Sequence, residues 1–212
     1  GITILKHNYD ETDFKGALQI AFEHDNTLLI EKFIPGREFR IFIINDEVVG
    51  ILHRVPANVT GDGVLNIGQL IDRKNEDPLR GKGYRTPLEK IRKGREEEMF
   101  LKQQGMDFNT VPKEGEVVYL RENSNISTGG DSIDFTDDID DSYKAIAVEA
   151  AKALNVKITG LDMMIQDIHA PATPDNYAII EMNFNPAIHI HCYPFKGKNR
   201  HLNHKMIRAL GF

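Results

Sequence analysis

Two carboxylates and one amide in the last third of the sequence could hold a divalent cation. Asp162 lies in the otherwise apolar run 160–164, where a carboxylate is costly unless it is paired or bound to a cation. Glu181 and Asn183 alternate at the end of a predicted strand, so both side chains fall on one face. Such hard oxygen ligands suit Mg²⁺, which takes its remaining oxygens from water and nucleotide phosphates. A strand-edge Asp and a Glu in a surface salt bridge are equally compatible with this spacing.

A turn between two predicted strands could recognise a purine nucleotide. Glu31, Lys32, Phe33 and Ile34 close the first strand, and backbone groups beside apolar side chains can hydrogen-bond the edge of a base. Glu38, at the start of the next strand, could accept hydrogen bonds from sugar hydroxyls. By itself, the segment is more typical of an ordinary strand–turn–strand with solvated charges.

Two arginines stand where a predicted strand meets a polar loop. Arg54 closes one strand, and Arg121 opens the loop 121–130, which ends in Gly129 and Gly130. A guanidinium fork suits phosphate oxygens, and successive glycine amides can form an anion-binding nest. The loop is not a P-loop, because no Gly-Lys-Ser/Thr follows. Surface arginines are the ordinary alternative.

A short segment near the end of the chain carries three residues of the types that bind zinc. His189, His191 and Cys192 fall within four positions, which lacks the ligand spacing of structural zinc sites. The segment is predicted instead to be a loop that touches substrate or packs beneath the last helix.

Hydrophobic periodicity and turn residues predict an α+β fold, with a mainly antiparallel sheet and flanking helices. The predicted helices cover residues 12–22, 66–74, 86–105, 140–154 and 198–210, and the predicted strands cover 27–33, 38–44, 48–55, 116–120, 158–166 and 177–182. The third helix is placed from Thr86, Pro87 and Glu89, which match a capping box with Pro at the first helical position. The polar turn 45–47 predicts a hairpin.

Composition limits the class of protein. The 212 residues are 41% hydrophobic, enough for one large domain or two small ones. The net charge of −6 argues against a general nucleic-acid binder, which needs Lys and Arg to neutralise phosphates. Cys192 is the only cysteine, which favours a reducing compartment. With no apolar run of about 18 residues and no secretory signal, a cytoplasmic protein without a membrane span is expected. A first residue Gly1 rather than Met, followed by a strand-like run at 2–5, suggests a piece of a longer protein.

Six motifs, in order along the chain, resemble the ATP-grasp carboxylate–amine ligases close to cyanophycin synthetase. They lie at residues 31–40, 54–56, 61–63, 75–81, 119–130 and 181–191. The last motif, Glu-Met-Asn-Phe-Asn-Pro-Ala-Ile-His-Ile-His, resembles more narrowly the glutathione synthetase module of bacterial bifunctional enzymes. The resemblance covers nearly the whole chain.

This resemblance implies an ATP-grasp fold that lacks part of its front subdomain, and it implies a role for each candidate residue. Residues 1–34 would be the remnant of the smaller subdomain, ending at the adenine hinge, and residues 35–212 the carboxyl-terminal subdomain with the metal site. The implied contacts are adenine with Glu31, Lys32, Phe33 and Ile34; ribose with Glu38; Mg²⁺ or Mn²⁺ with Asp162, Glu181 and Asn183; the transferred phosphate and activated carboxylate with Arg54 and Arg121; and substrate with Asn185 and His189.

The implied reaction is the glutathione synthetase step. ATP would phosphorylate the carboxylate of γ-glutamylcysteine, and the amine of glycine would attack the acyl phosphate. The family's upstream phosphate-binding lysines and glycine-rich loop have no counterpart before Glu31 beyond Lys6, so the chain alone is expected to bind ATP poorly and to turn over weakly or not at all. The alternatives are a ligase for another carboxylate, as in cyanophycin synthesis, and a non-catalytic nucleotide-binding fragment. Small-molecule partners are expected, with no nucleic acid and no membrane, and a homo-oligomer is compatible with the sequence.

Overall fold

The structure, a computed structural model, describes residues 10–83 and 85–212. The described residues form two compact units with a boundary between Pro35 and Gly36. Two features used in the sequence interpretation, Lys6 and the strand-like run 2–5, lie outside the described residues.

In residues 10–35, the first unit contains helix α1, Glu11–Phe22. Asp10 caps this helix: its side chain accepts a hydrogen bond from the backbone N–H of Asp13 at 2.9 Å, and Asp13 accepts one from the N–H of Asp10 at 3.1 Å. With this reciprocal capping box the helix begins at Glu11, one residue before the predicted start at 12. The predicted helix itself is confirmed.

The predicted strand at 27–33 is wrong. Residues 27–35 form no helix or strand, and Leu29 and Ile30 are 83% and 67% exposed. A strand is stabilised by backbone hydrogen bonds to a neighbouring strand, and no strand of the described residues pairs with this segment. Apolar and β-branched residues alone do not make this segment a strand.

The second unit is built on a five-stranded antiparallel sheet. The strands of this unit are β1 Arg37–Ile44, β2 Glu47–Val55, β3 Asn58–Thr60, β4 Arg80–Gly81, β5 Leu88–Glu89, β6 Val117–Tyr119, β7 Asp131–Asp134, β8 Ile158–Ile165 and β9 Tyr177–Asn183. The helices are α2 Ile67–Lys74, α3 Arg95–Gln103, α4 Asp141–Ala153, α5 His189–Cys192 and α6 Leu202–Ala209. In the main sheet the order is β7–β2–β1–β8–β9, and every neighbouring pair is antiparallel.

Two smaller pairings complete the unit, β3 with β6 antiparallel and β4 with β5 parallel. The expected α+β class, with a mainly antiparallel sheet and flanking helices, is confirmed. None of the described helices combines the length and the apolar character that crossing a bilayer requires.

The hairpin predicted at 45–47 is confirmed and sets the register of β1 on β2. Asn45 and Asp46 both have positive φ, 47° and 65°, as a two-residue turn between right-twisted strands requires. Ile44 is then opposite Glu47, and Phe39 opposite His53. The predicted helices at 66–74 and 140–154 and the strands at 158–166 and 177–182 also correspond to α2, α4, β8 and β9.

The helix predicted from Thr86 begins nine residues later, at Arg95. Leu88 is fully buried and pairs with Arg80 in the β4–β5 ladder. This strand pairing outweighs the local capping signal, because burial of an apolar side chain and a ladder bond exceed the value of a cap. Strand β7 was missed, and the last helix begins at Leu202 rather than near Lys198.

Both faces of the main sheet are covered, by different helices. Helix α4 packs Tyr143 and Ala147 against one face, which includes Phe39, Ile41 and Ile43 of β1. On the opposite face, Phe42 and Ile44 pack with Cys192 and Leu202 from the α5–α6 region. A separate core joins α2 and α3 to the β3–β6 pair. Because side chains alternate along a strand, residues 38 and 40 of β1 continue the second face beyond its apolar end.

His191 of α5 is a buried histidine on this second face. Its ring is fully buried, lies edge-on to Phe42 with ring centroids 5.4 Å apart, and has no hydrogen-bond partner on either nitrogen among the described residues. Gly50 leaves the space for it, since an added Cβ there would lie 2.8 Å from Nδ1. Burial, with a smaller contribution from Arg40, lowers the pKa of His191 from 6.5 to about 3; Asp134 acts in the opposite direction and His189 lowers it further.

This burial predicts a loss of stability in acid. The folded imidazole stays neutral, whereas in the unfolded chain it takes up a proton below about pH 6.5. Stability from this group is therefore complete above pH 6.5 and declines toward pH 3, by about 1.4 kcal/mol per pH unit. We expect the free energy of unfolding, measured by urea titration, to be about 2 kcal/mol lower at pH 5 than at pH 7 through His191.

The matched variant is His191→Leu, which keeps the volume and cannot be protonated. Its unfolding free energy is expected to depend less steeply on pH over the same range. Part of the slope remains, because burial also lowers the pKa of His53, to about 4. An identical decline in both proteins would contradict this assignment.

Candidate metal and phosphate site

The two predicted metal-ligand carboxylates lie opposite each other on neighbouring strands. Asp162 of β8 pairs in register with Glu181 of β9, and Gly160 pairs with Asn183. Directly opposed residues place their side chains on the same face, and Glu181 and Asn183 share that face because they alternate along β9. The register shifts between Asp162 and Met163, a local irregularity of the kind found beside functional sites. The structure therefore brings all three predicted ligands together.

Asn183 is oriented by its neighbour. Its side-chain Nδ2 donates a hydrogen bond to Oε1 of Glu181 at 3.0 Å, which fixes the amide so that Oδ1 is its remaining ligand atom. Two carboxylates and an amide oxygen fit a hard divalent cation such as Mg²⁺. Within residues 10–83 and 85–212, no three His, Cys, Asp or Glu side chains are grouped to hold a metal ion.

Asp162 is bound by an arginine that the sequence interpretation missed. Arg40 of β1 is directly opposite Asp162 in the β1–β8 register. Its Nε donates to Oδ1 and its Nη2 donates to Oδ2, the latter at 2.8 Å. Both side chains are more than nine-tenths buried. The aliphatic part of the Arg40 side chain passes over Gly160, where an added Cβ would lie 3.0 Å from Cδ of Arg40.

A signal for this pair exists in the sequence. Arg40 is a charged residue within the run 39–44, which is otherwise apolar, as Asp162 is within 160–164. Two opposite charges, each in a buried strand, can be accommodated when they face each other. The sequence does not say which strands are neighbours, so the pairing was not predicted.

Arg54 links Asp162 to Glu38. Its Nη2 donates to Oδ2 of Asp162 at 3.1 Å and also forms an ion pair with Oε1 of Glu38. Ser124, from the polar loop, donates its hydroxyl to Oε2 of Glu38. Glu38, predicted as a ribose contact, therefore belongs to the same charged cluster as Arg54. The Nε of Arg54 is buried and has no partner among the described residues.

The arginines keep Asp162 ionised. Burial alone would raise the pKa of this carboxyl group. The hydrogen bond from Arg40 and the charges of Arg54 and Arg40 outweigh burial, and the pKa of Asp162 is lowered below its usual value. Asp162 is thus a carboxylate at neutral pH, the form that ligates a cation.

The polar loop 121–130 is held against the end of β2. An added Cβ on Gly130 would lie 2.8 Å from the carbonyl oxygen of Val55 and 2.9 Å from that of Asn125, so only glycine fits. Gly129 adopts φ 94° after a 3₁₀ turn, a conformation that favours glycine. The loop therefore approaches the strand that carries Arg54.

Arg121, at the start of the loop, is held by helix α3. Its Nε donates to Glu97 at 2.6 Å, and its guanidinium also pairs with Glu96. The carboxylate of Glu97 caps α3 through the N–H of Gly94 at 2.9 Å. This arrangement ties the loop to α3, and a phosphate contact would require Arg121 to leave two carboxylates. Its catalytic role stays a prediction.

The remaining predicted residues are those assigned to adenine and to substrate. Glu31, Lys32 and Phe33 are exposed and Ile34 is half-buried in the first unit. Asn185 is exposed two residues after β9. His189 begins α5, where burial lowers its pKa. Their roles at adenine and substrate stay predictions.

The segment considered for zinc is a single helical turn. His191 and Cys192 are buried on the sheet face that α6 covers. The segment therefore packs beneath the last helix, which was one of the two predicted alternatives to a zinc site.

The buried fork between Arg40 and Asp162 predicts a large effect on stability. Arg40→Met leaves the Asp162 carboxylate buried with only the single bond from Arg54. We expect the free energy of unfolding, from chemical denaturation at pH 7, to fall by about 3 kcal/mol.

Two controls make this result specific. Arg73→Met removes an exposed ion pair with Asp62 and is expected to change stability by less than about 0.5 kcal/mol. Combining Arg40→Met with Asp162→Leu is expected to restore most of the loss, since no buried charge remains unpaired. Equal effects of Arg40→Met and Arg73→Met would contradict the buried pair.

Comparison with known proteins identifies a group of close relatives. The chain is 62% identical over all of its 212 residues to the glutathione biosynthesis bifunctional protein GshAB of Desulfotalea psychrophila, and it covers 27% of that protein. It is 57% identical over 210 residues to the protein of the same name from Clostridium perfringens, again covering 27%. The chain thus spans about a quarter of the length of the curated relatives it matches. No family model matches it.

A solved structure agrees. The crystal structure of a bifunctional glutathione synthetase from Pasteurella multocida matches 95% of this chain with a TM-score of 0.80 and 45% sequence identity, and 28% of that chain is covered. The resemblance to the bacterial bifunctional glutathione enzymes, inferred from the last motif, is confirmed. Along its whole length in sequence, and over nearly all of it in fold, this chain is similar to one segment of the bifunctional glutathione biosynthesis proteins.

Proposed function

We propose that the chain is the carboxyl-terminal part of an ATP-grasp ligase that performs the glutathione synthetase step. The observation that carries this proposal is the in-register placement of Asp162 and Glu181, with Asn183 on the same face. The names of its relatives support the product, since they describe glutathione biosynthesis.

The proposed reaction has two steps. The terminal phosphoryl group of ATP passes to a carboxylate oxygen of γ-glutamylcysteine, which gives ADP and an acyl phosphate. The glycine nitrogen then attacks the acyl carbon and loses a proton, the bond from that carbon to the phosphate oxygen breaks, and glutathione and inorganic phosphate result. Such phosphoryl transfer depends on positioning and on neutralising charge more than on covalent help from the protein.

The residues of the cluster would supply these two requirements. Asp162, Glu181 and Asn183 would hold Mg²⁺, which neutralises charge on the ATP phosphates when bound; Mn²⁺ offers the same ligand chemistry. Arg54, on the next strand but one from Asp162, would hold the transferred phosphate with its guanidinium. Arg40 keeps Asp162 charged and oriented.

The remaining roles follow the family resemblance. We assign adenine to Glu31 and to the backbone of residues 32–34, and ribose to Glu38, which would exchange its bond from Ser124 for a sugar hydroxyl. Arg121 would hold the activated carboxylate, and Asn185 and His189 would contact the peptide substrate. In this assignment residues 1–34 are part of the smaller ATP-grasp subdomain and residues 35–212 form the larger one.

A chimera tests the proposal in a full-length protein. The corresponding segment of the Desulfotalea psychrophila relative is replaced by this chain, and glutathione and phosphate are measured with ATP, Mg²⁺, γ-glutamylcysteine and glycine. We expect the chimera to form glutathione. Asp162→Asn or Glu181→Gln in the chimera is expected to lower kcat roughly a hundredfold or more, because transition-state charge is no longer neutralised in position.

Glu149→Gln is the matched control, since it makes the same chemical change at an exposed residue that pairs with Lys152 on α4. It is expected to leave kcat unchanged. A folded chimera that releases phosphate only with other carboxylates would reject glutathione as the product. Full activity in Asp162→Asn and Glu181→Gln would favour a non-catalytic nucleotide-binding role for this segment.

A further inference from the structure

We propose that Arg54 is a displaceable counter-ion: it neutralises Asp162 before the divalent cation binds and leaves that carboxylate when the cation arrives, whereas Arg40 remains. The inference rests on the proposed metal site and adds to it the group that the cation replaces. It follows from the unequal ways in which the two arginines bind one carboxylate.

Arg40 is bound too firmly to be the group that leaves. It donates hydrogen bonds to both oxygens of Asp162 from the strand position directly opposite. Both side chains are more than nine-tenths buried. Removing Arg40 from this pair would leave a charged guanidinium in the sheet without a partner, which is strongly unfavourable.

Arg54 is bound to Asp162 by a single contact. Only its Nη2 reaches Asp162, at 3.1 Å, and the same nitrogen also forms the ion pair with Glu38. If Arg54 leaves Asp162, the positive charge of Arg54 is still neutralised by Glu38. The cost of the exchange is therefore one long hydrogen bond rather than a buried unpaired charge.

An unsatisfied donor favours a second position for Arg54. Its Nε is buried without a hydrogen-bond partner among the described residues, and an unpaired buried donor raises the free energy of the present arrangement. A small shift that turns Nε and Nη2 together toward one anion would satisfy both nitrogens as a fork. Glu38 offers such an anion, and so does a phosphate group.

Repulsion from a bound cation would drive this shift of Arg54. An ion ligated by Asp162 would lie within a few ångströms of the Nη2 of Arg54, because Arg54 donates to that same carboxylate at 3.1 Å. Two cations at a few ångströms from each other repel strongly in a partly buried site. Cation binding would thus release Arg54 for the phosphoryl group at the moment when that group is brought in with the metal.

The wild-type 212-residue chain tests this by observing the arginine side chains directly. With ¹⁵N-labelled arginine, the Nε–H resonances of Arg54 and Arg40 are assigned from the spectra of Arg54→Met and Arg40→Lys, and Mg²⁺ is added with and without ADP. We expect the Arg54 signal to shift with Mg²⁺ saturation and the Arg40 signal to stay. An Arg54 signal that does not move in the Mg²⁺-saturated chain, or an Arg40 signal that moves in its place, would overturn the inference.

Mn²⁺ affinity gives an independent measurement. Because a competing cation is removed, Arg54→Met is expected to bind Mn²⁺ about threefold or more tightly than wild type in an electron paramagnetic resonance titration. Arg73→Met loses the same charge at the exposed pair with Asp62 and is expected to match wild type. Equal affinities for Arg54→Met and wild type would count against displacement.

Failure of the metal site itself gives a different pattern. Wild type and Asp162→Asn would then bind Mn²⁺ equally weakly, and no arginine signal would respond to Mg²⁺ even with ADP. If wild type binds and Asp162→Asn does not, the site stands, and only the behaviour of Arg54 decides the inference.

Discussion

The site depends on one buried ion pair, between Asp162 and Arg40. A carboxylate in the middle of a covered sheet is tolerated only when an opposite charge with good geometry meets it, and the β1–β8 register supplies that charge directly opposite. The pair keeps Asp162 ionised and holds its oxygens in a defined direction. Glu181 lies opposite Asp162 on β9, the strand next to β8 on the side away from β1. Its partner is therefore a carboxylate held in place rather than a mobile side chain.

The charged cluster occupies one end of a sheet face whose other end is apolar. Along β1, Ile44 and Phe42 pack beneath α5 and α6, whereas Arg40 and Glu38 on the same face bind Asp162, Arg54 and Ser124. Helices α5 and α6 pack on the apolar end of this face. Ladder hydrogen bonds set the backbone positions of these charged groups, as the proposed role in phosphoryl transfer would require.

A second buried polar network holds the polar loop. Asp131, directly after the loop, pairs with Arg80 and Lys74, and Arg80 also donates to the carbonyl oxygen of Gly129 at 3.1 Å. Burial is the largest influence on the pKa of Lys74 and lowers it, although Asp131 acts to raise it. The loop that carries Ser124 to Glu38 is therefore fixed at its far end by Lys74 of α2 and Arg80 of β4.

The sequence by itself determined the periodic elements, the β1–β2 hairpin, the fold class and the idea that Asp162, Glu181 and Asn183 form one set, because alternation and local turn chemistry are written in neighbouring residues. Two predictions were wrong because strands depend on a partner that local sequence does not reveal. The segment 27–33 pairs with no strand of the described residues, whereas Leu88, predicted to lie in a helix that starts at Thr86, pairs with β4 instead. Only the tertiary structure decided that Arg40 holds Asp162, 122 residues away, that Arg54 is shared with Glu38, and that Arg121 is bound by α3. Which charged side chains meet depends on strand order and register, and these follow from the packing of the whole sheet rather than from any local pattern.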